Sequence, residues 1–162
     1  MFGFREDSLT HDAFNELSMF LKNDNTTPFY FVDMLSAYNS ALQSRIIDLV
    51  EAKVSNKLIS KFIVSAIKIF NTKVFEKNFH TERGVPQGSC LSPWLFNLYM
   101  DSMITTLKAN IPEITKLIVY ADDIAVAGDF NFNAFKSILE DYGFRSNVKK
   151  SACFRKRLRD IP

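Results

Sequence analysis

Apolar residues recur along this chain with two periods, and the switches between them mark out its elements. Ala13, Phe14, Leu17, Phe20 and Leu21 share one side of a 3.6-residue repeat, with Ser8 or Thr10 placed to cap the helix they predict. Asn23–Pro28 has turn composition. Phe29–Leu35 is then apolar except for Asp33, which predicts a buried strand. Helical spacing returns with Leu42, Ile46, Leu49 and Val50. It returns again from a start near Ser55, with Leu58, Ile59, Phe62, Ile63, Ala66, Ile69 and Phe70. Lys73–Glu76 and Phe79–Glu82 predict a short hairpin turning around Asn78. The loop Arg83–Ser92 follows, and Ser92-Pro93 has the hydroxyl and the proline of a helix start. That helix carries Leu95, Leu98, Tyr99, Met103 and Leu107. Two β-rich runs, Leu117–Ala121 and Ile124–Ala127, then flank Asp122 and Asp123, a tight hairpin with its acids at the tip. Phe135, Ile138, Leu139 and Tyr142 mark a last helix, Gly143 suits its C-terminal stop, and a strand follows.

The order of strand, helices, loop, helix, hairpin, helix and strand predicts an α+β fold: an antiparallel sheet with helices packed on one face. No repeat, low-complexity segment or linker interrupts the chain, so one unit is expected. At 162 residues it has the length of one domain, and 47% apolar residues with 16 Phe exclude general disorder. No apolar run reaches the roughly 18 residues of a membrane span, and no secretory leader is seen. Cys90 and Cys153 are too few for a disulfide framework and lack zinc-site spacing. An intracellular protein without a membrane partner is expected. The net charge of +2 gives no global basic field. Lys149-Lys150 and Arg155-Lys156-Arg157 with Arg159 concentrate positive charge near the end, as a solvated tail or a track for phosphates. The chain opens on Phe2-Gly3-Phe4-Arg5 and stops at Pro162, so both ends read as cut.

The acids carry the candidate chemistry. Adjacent carboxylates repel unless a cation, a base or water screens them. Asp33 stands in an otherwise apolar strand, where an unpaired carboxylate costs several kcal/mol. It needs a partner, either a distant base or a cleft. If its strand lies beside the hairpin, Asp33, Asp122 and Asp123 converge. An oxygen-only anionic cluster of that kind suits magnesium, or manganese. Carboxylates from two elements can hold two divalent ions about 3.5–4 Å apart, an arrangement that serves nucleotidyl transfer.

Five segments then resemble, in order, the motifs of reverse transcriptases. Arg83-Gly84-Val85-Pro86-Gln87-Gly88-Ser89 through Ser92-Pro93-Trp94-Leu95-Phe96-Asn97-Leu98-Tyr99 resembles motif B, and Tyr120-Ala121-Asp122-Asp123 resembles motif C. Phe31-Val32-Asp33 with Ala37-Tyr38 is similar to motif A. Gly3-Phe4-Arg5 with Ser8 is similar to motif 2, and Gly143-Phe144 with Asn147 and Lys150-Ser151 to motif D. The Gly-Val-Pro-Gln-Gly-Ser form with Ser-Pro-x-Leu-Phe-Asn most resembles non-LTR (LINE-like) retrotransposon enzymes. Ala121, where viral RNA-directed RNA polymerases usually carry Gly, argues against that class.

The resemblance implies roles residue by residue. Asp33 and Asp122 would ligate two metals, Asp123 would support them, and Met34 would add its backbone carbonyl. Tyr38 would be the gate under the sugar of the incoming nucleotide, excluding a 2′-hydroxyl; the other reading of this ring is a core aromatic. Gln87, Gly88 and Ala121 would line the nucleotide, with Gly84 and Gly88 allowing close backbone approach. Lys150, with Lys149 as the competing choice, would serve the pyrophosphate as charge partner or proton donor. Arg5 would contact template or triphosphate. The implied chain is a partial reverse transcriptase domain over residues 1–162, with 1–28 part of the fingers, 29–162 mainly polymerase palm, and the thumb absent. The implied partners are an RNA template, a DNA primer, deoxynucleotides and the remaining polymerase segments. The expected setting is a retroelement ribonucleoprotein in nucleus and cytoplasm. A group II intron-type enzyme or maturase, and a non-catalytic RNA-binding relic, are the alternatives.

Overall fold

In a computed structural model the described residues are 10–24, 26–69, 73–74, 77–78, 82–85, 88–147 and 150–154. Along the chain these form α1 (Thr10–Asn23), β1 (Phe29–Asp33), α2 (Ala37–Ser40), α3 (Gln43–Lys53), α4 (Lys57–Ile69), β2 (Lys73–Val74), β3 (Lys77–Asn78), α5 (Ser92–Asn110), β4 (Ile114–Tyr120), β5 (Asp123–Gly128), α6 (Phe132–Asp141) and β6 (Ala152–Phe154). The expected α+β class holds. One unit was expected, yet contacts divide the chain into two: Met1–Leu35 with Met103–Pro162, and Ser36–Ser102. No linker marks the division, because one boundary is the turn at Ser36 and the other falls inside α5.

The first unit is an antiparallel sheet of order β4-β5-β1-β6. Strand alternation gives it two different faces. Phe29 of β1, Ala125 and Ala127 of β5 and Ile118 of β4 form one face, covered by Ala13, Leu17, Phe20 and Leu21 of α1. A Lys116–Glu16 ion pair at its margin adds to the join. On the other face Tyr30 stacks on Phe132, and Phe130 and Phe132 pack against Phe135 of α6. Val32, Ile124, Val126 and Val119 share this parity and are all buried. Helices therefore lie on both faces, a correction to the one-face expectation. Only part of the α1 face is covered: Phe31 remains 38% exposed, so β1 is not the wholly buried strand that its composition suggests.

Turn chemistry matches the sequence closely. Before β1, the Asp24 carboxylate accepts from the backbone of Thr26 and Thr27, each at 3.1 Å. The Thr27 hydroxyl bond is the largest of the causes that hold this carboxyl below its usual range. Asn131 caps α6 by accepting from Asn133 N at 2.9 Å. The helix ends in a Schellman motif, with Phe144 N donating to Leu139 O and Gly143 N to Glu140 O, at a left-handed Gly143 (φ 77°). At the outer end of the hairpin, a Cβ on Gly128 (φ 151°) would run into the Glu113 carbonyl, so only glycine fits beside the bulge at Ile114/Lys116.

In the second unit α3 packs on α4, and the side-chain amide of Gln43 donates to Gly84 O at 3.0 Å. Asn56 rather than Ser55 caps α4, accepting from Leu58 N and Ile59 N. The buried face of α4 is Ser60, Ile63, Val64 and Ile67, while Leu58, Ile59 and Phe62 of the expected stripe lie exposed. Two apolar stripes compete on this helix, and periodicity alone does not choose between them. The hairpin before the motif-B loop pairs Lys73 with Asn78 and Val74 with Lys77, so Asn78 lies in a strand and not in the turn. Within α5, Leu95, Phe96, Tyr99, Met100, Met103 and Leu107 are fully buried.

Candidate active site

Three acids from two strands and one turn meet at one end of the sheet. Asp33 is the last residue of β1 and pairs across to Asp123, the first of β5. Asp123 pairs in turn with Tyr120, which leaves Ala121 and Asp122 as a two-residue turn. Positive φ at Ala121 alone (51°) is the pattern of a type II′ hairpin, whose first central position favours glycine. Glycine would therefore be accepted at this position on backbone grounds.

The hydrogen bonds of Asp33 point away from the hairpin. Its carbonyl accepts from Asn147 N at 2.8 Å and its N–H donates to the Ser151 hydroxyl at 3.3 Å. Both backbone groups of a strand residue face the same side, so Asp33 and Asp123 form a non-hydrogen-bonded pair. That is the closer kind, with Cα atoms about 4.5 Å apart and side chains on one face. The same tie places Lys150. Its N–H and that of Ser151 both donate to Asn147 O, and its ammonium lies 3.8 Å from Asp33 Oδ1. An open cleft of about 400 Å³ is lined by Phe31, Val32, Asp33, Asp123, Ile124 and Lys150.

Burial against the strands, then the charges of Asp122 and Asp33, push the Asp123 carboxyl above its ordinary range, with Lys150 pulling the other way. The side chain is itself exposed, so the like charges are the part that a substitution reads. Among the described residues no three acid, histidine or cysteine side chains form a ready-made metal cage. The donor chemistry nonetheless fits a hard divalent cation: only oxygens, on carboxylates whose mutual repulsion is already felt at Asp123. Both readings of Asp33 thus meet in one place, since it has a base and also borders a cleft. Met34 is buried, and its backbone pairs with Ser146.

Tyr38 lies on α2 in the second unit. Its ring stacks on the fully buried Phe96 at 4.1 Å and 14°. Its carbonyl accepts from Val85 N at 2.8 Å. A Cβ on Gly84 (φ 92°) would press on the Asn39 and Tyr38 backbone at 3.2–3.3 Å, so this glycine admits α2. Gly88 (φ 85°) has open space around it. Arg5, Gln87 and Lys149 lie outside the described residues. Sequence reasoning did not single out Ser151 as a tie to Asp33, nor Phe96 as the support of Tyr38. Both sit inside quoted motifs, but nothing in spacing announces a contact over 118 or 58 residues.

A family model described as "Reverse transcriptase (RNA-dependent DNA polymerase)" matches residues 1–159. No curated protein matches the sequence. Among solved structures, apo telomerase from Candida tropicalis truncated from the C-terminal domain is similar, with a TM-score of 0.63 and 17% identity over 92% of this chain and 35% of that one. The apo telomerase of the same organism gives 0.61 and 15%, over 92% and 33%. Telomerase from Candida albicans in complex with a fragment of telomeric RNA gives 0.54 and 13%, over 94% and 30%. The chain spans about a third of the length of these structures, and at such identities the likeness is one of fold.

Proposed function

The chain belongs to the reverse transcriptase family, and from that premise we propose that it carries the catalytic centre of an RNA-directed DNA polymerase. It would join deoxynucleotides to a primer 3′-hydroxyl on an RNA template. The supporting observation is the closely paired Asp33 and Asp123 beside Asp122, on a partly open sheet face with Lys150. Residues 29–162 would be mainly palm and 1–28 part of the fingers. The Gly84–Ser89 run supports a non-LTR retrotransposon origin, which would put the chain in a ribonucleoprotein of nucleus and cytoplasm.

Asp33, Asp122 and Asp123 would hold divalent magnesium or manganese, with the Met34 carbonyl as a further oxygen. Bound there, such ions supply charge neutralisation on phosphates and a lowered pKa for an attacking hydroxyl. The protein's own share is position and field. Both backbone groups of Asp33 are fixed by Asn147 and Ser151, so its carboxylate enters the cleft from a rigid strand end. Lys150, paired with Asp33, would turn to the departing pyrophosphate as donor. Tyr38, flat on Phe96, would bar a 2′-hydroxyl, while Gln87, Gly88 and Ala121 would line the nucleotide and Arg5 would meet template or triphosphate.

Single-nucleotide primer extension with magnesium tests the proposal. Asp122→Asn should abolish addition and leave RNA affinity unchanged. Addition that survives this change would overturn the reading.

A further inference from the structure

Along β1 from the acids the sheet leaves two large apolar rings in solvent: Phe31, two residues before Asp33, and Phe154, which stands across from Phe29 on the edge strand. Phe31 is 38% exposed and Phe154 of the edge strand β6 is 51% exposed. They meet edge to face, 6.0 Å apart at 86°, and Phe29 buttresses Phe31 from behind at 4.8 Å and 76°. Strand alternation puts Phe31 on the same face as Asp33, about 7 Å along β1. Phe31 lines the cleft that also holds Asp33, Asp123 and Lys150. Two exposed rings in contact make one apolar patch, and here it borders the acid cleft.

We propose that Phe31 and Phe154 form the floor on which the 3′-terminal nucleoside of the strand being extended rests. This rests on the polymerase reading of the acid cleft. The occupant follows from the charges. The rings themselves carry no charge, so the group that lies on them is neutral, while phosphates belong with Lys150 and the cations of the proposed site. It must be flat or apolar on the side that meets the rings. It must also end in a hydroxyl that reaches the acids one strand step further on. A terminal sugar with its base meets all three conditions, and the rings offer a sequence-tolerant contact because every base has a π face. An apolar peptide segment would meet only the second. Buttressing by Phe29 matters, since a ring held in one orientation spends little freedom on contact.

The test is a fluorescence titration of the chain with an RNA-template, DNA-primer duplex carrying 2-aminopurine at the primer 3′ end, or ten nucleotides inside it. The end label should respond on binding and the internal label should not. Phe31→Ala and Phe154→Ala should each weaken binding by about five- to a hundredfold, the scale of a base–aromatic contact, and silence the end label. Phe31→Tyr should keep the response and Phe31→Leu, which keeps bulk without a ring face, should lose it; circular dichroism confirms that each variant folds. Unchanged binding in both alanine variants, an equal response from the two labels, or no binding by the parent chain would overturn the proposal. So would self-association of the parent chain that Phe31→Ala abolishes, which would make the patch an interface between copies. Asp33→Asn separates the two ideas: it should stop nucleotide addition and spare the end-label response. Persistent addition by that variant sinks the polymerase reading, whereas a lost response in the ring variants sinks only the floor.

Discussion

Replacing Asp123 by Asn should make the protein more stable and, on the proposed function, inactive. Asp33 and Asp123 are a close cross-strand pair, with carboxylates roughly 5 Å apart. Two unit charges at that distance repel by about 0.8 kcal/mol in water, and more in a lower dielectric. Lys150, 3.8 Å from Asp33, and dissolved salt offset part of this. A gain of about 0.5–1 kcal/mol remains, which for a chain of this length is about 2 °C in Tm. The sign with pH follows from the direction of the shift. An acid whose folded pKa is raised binds its proton more tightly in the native state. Stability is then lost as pH rises through the interval between the unfolded value, about 3.9, and the higher folded one. The advantage of Asp123→Asn should be full at pH 7 and vanish below about pH 4. If the carboxylates hold a divalent cation, magnesium should reverse the order. A ligand at a hundred times its Kd adds about 2.7 kcal/mol, more than the repulsion removes. Calorimetric melts at pH 7 and pH 3.5, with and without magnesium, decide the matter. A lower Tm for Asp123→Asn at pH 7 without magnesium, or a gap that persists unchanged at acid pH, would refute the electrostatic account.

Three further outcomes follow from the backbone and the rings. Ala121→Gly should be neutral or gain up to about 1 kcal/mol in urea titration, because relief of the positive φ outweighs the added chain entropy, whereas Ala121→Val should lose about 1–2 kcal/mol. Gly128→Ala should cost about 2–3 kcal/mol in the same assay, since its Cβ meets the Glu113 carbonyl in a backbone region that L-residues avoid. Phe96→Ala should cost about 3–5 kcal/mol by emptying a fully buried site. On the proposed function, with Tyr38 no longer held flat, incorporation of ribonucleotides relative to deoxynucleotides should rise; Phe96→Leu should raise that ratio less. The ratio of kcat/KM values in single-nucleotide addition measures this.

The sheet end was legible because its signals are local. A two-residue turn between β-rich runs and a lone acid in an apolar run are written in adjacent residues, and the register of Asp33 with Asp123 carries both to one edge. Gly143 likewise announces a stop within four residues of its partner. What the sequence hid depends on separations that no period encodes. Which stripe of α4 is buried is decided by the packing of α3 and not by spacing. The Ser151 tie to Asp33 and the Phe96 support of Tyr38 exist only once distant segments meet.

One end of the sheet gathers three costs. Ala121 takes a backbone conformation better suited to glycine, Asp123 faces two like charges, and Phe31 leaves aromatic surface in water. The first two are each about 1 kcal/mol, and each of the three has a simple substitution that would remove it. Folding alone gives no reason for them to coincide. Further along the same sheet, where α1 covers Phe29 and Ala127, the packing is conventional. Local rules broken together at one place are what a working site leaves behind. Each cost is also of a kind that a different part of one substrate complex would relieve: cations for the acids, a nucleoside for the rings, and a turn held in the shape that offers Asp122. Stability should therefore rise more on binding a metal-loaded primer–template than on binding metal or nucleic acid alone. Equal and merely additive increments in Tm would show that the three costs are independent accidents.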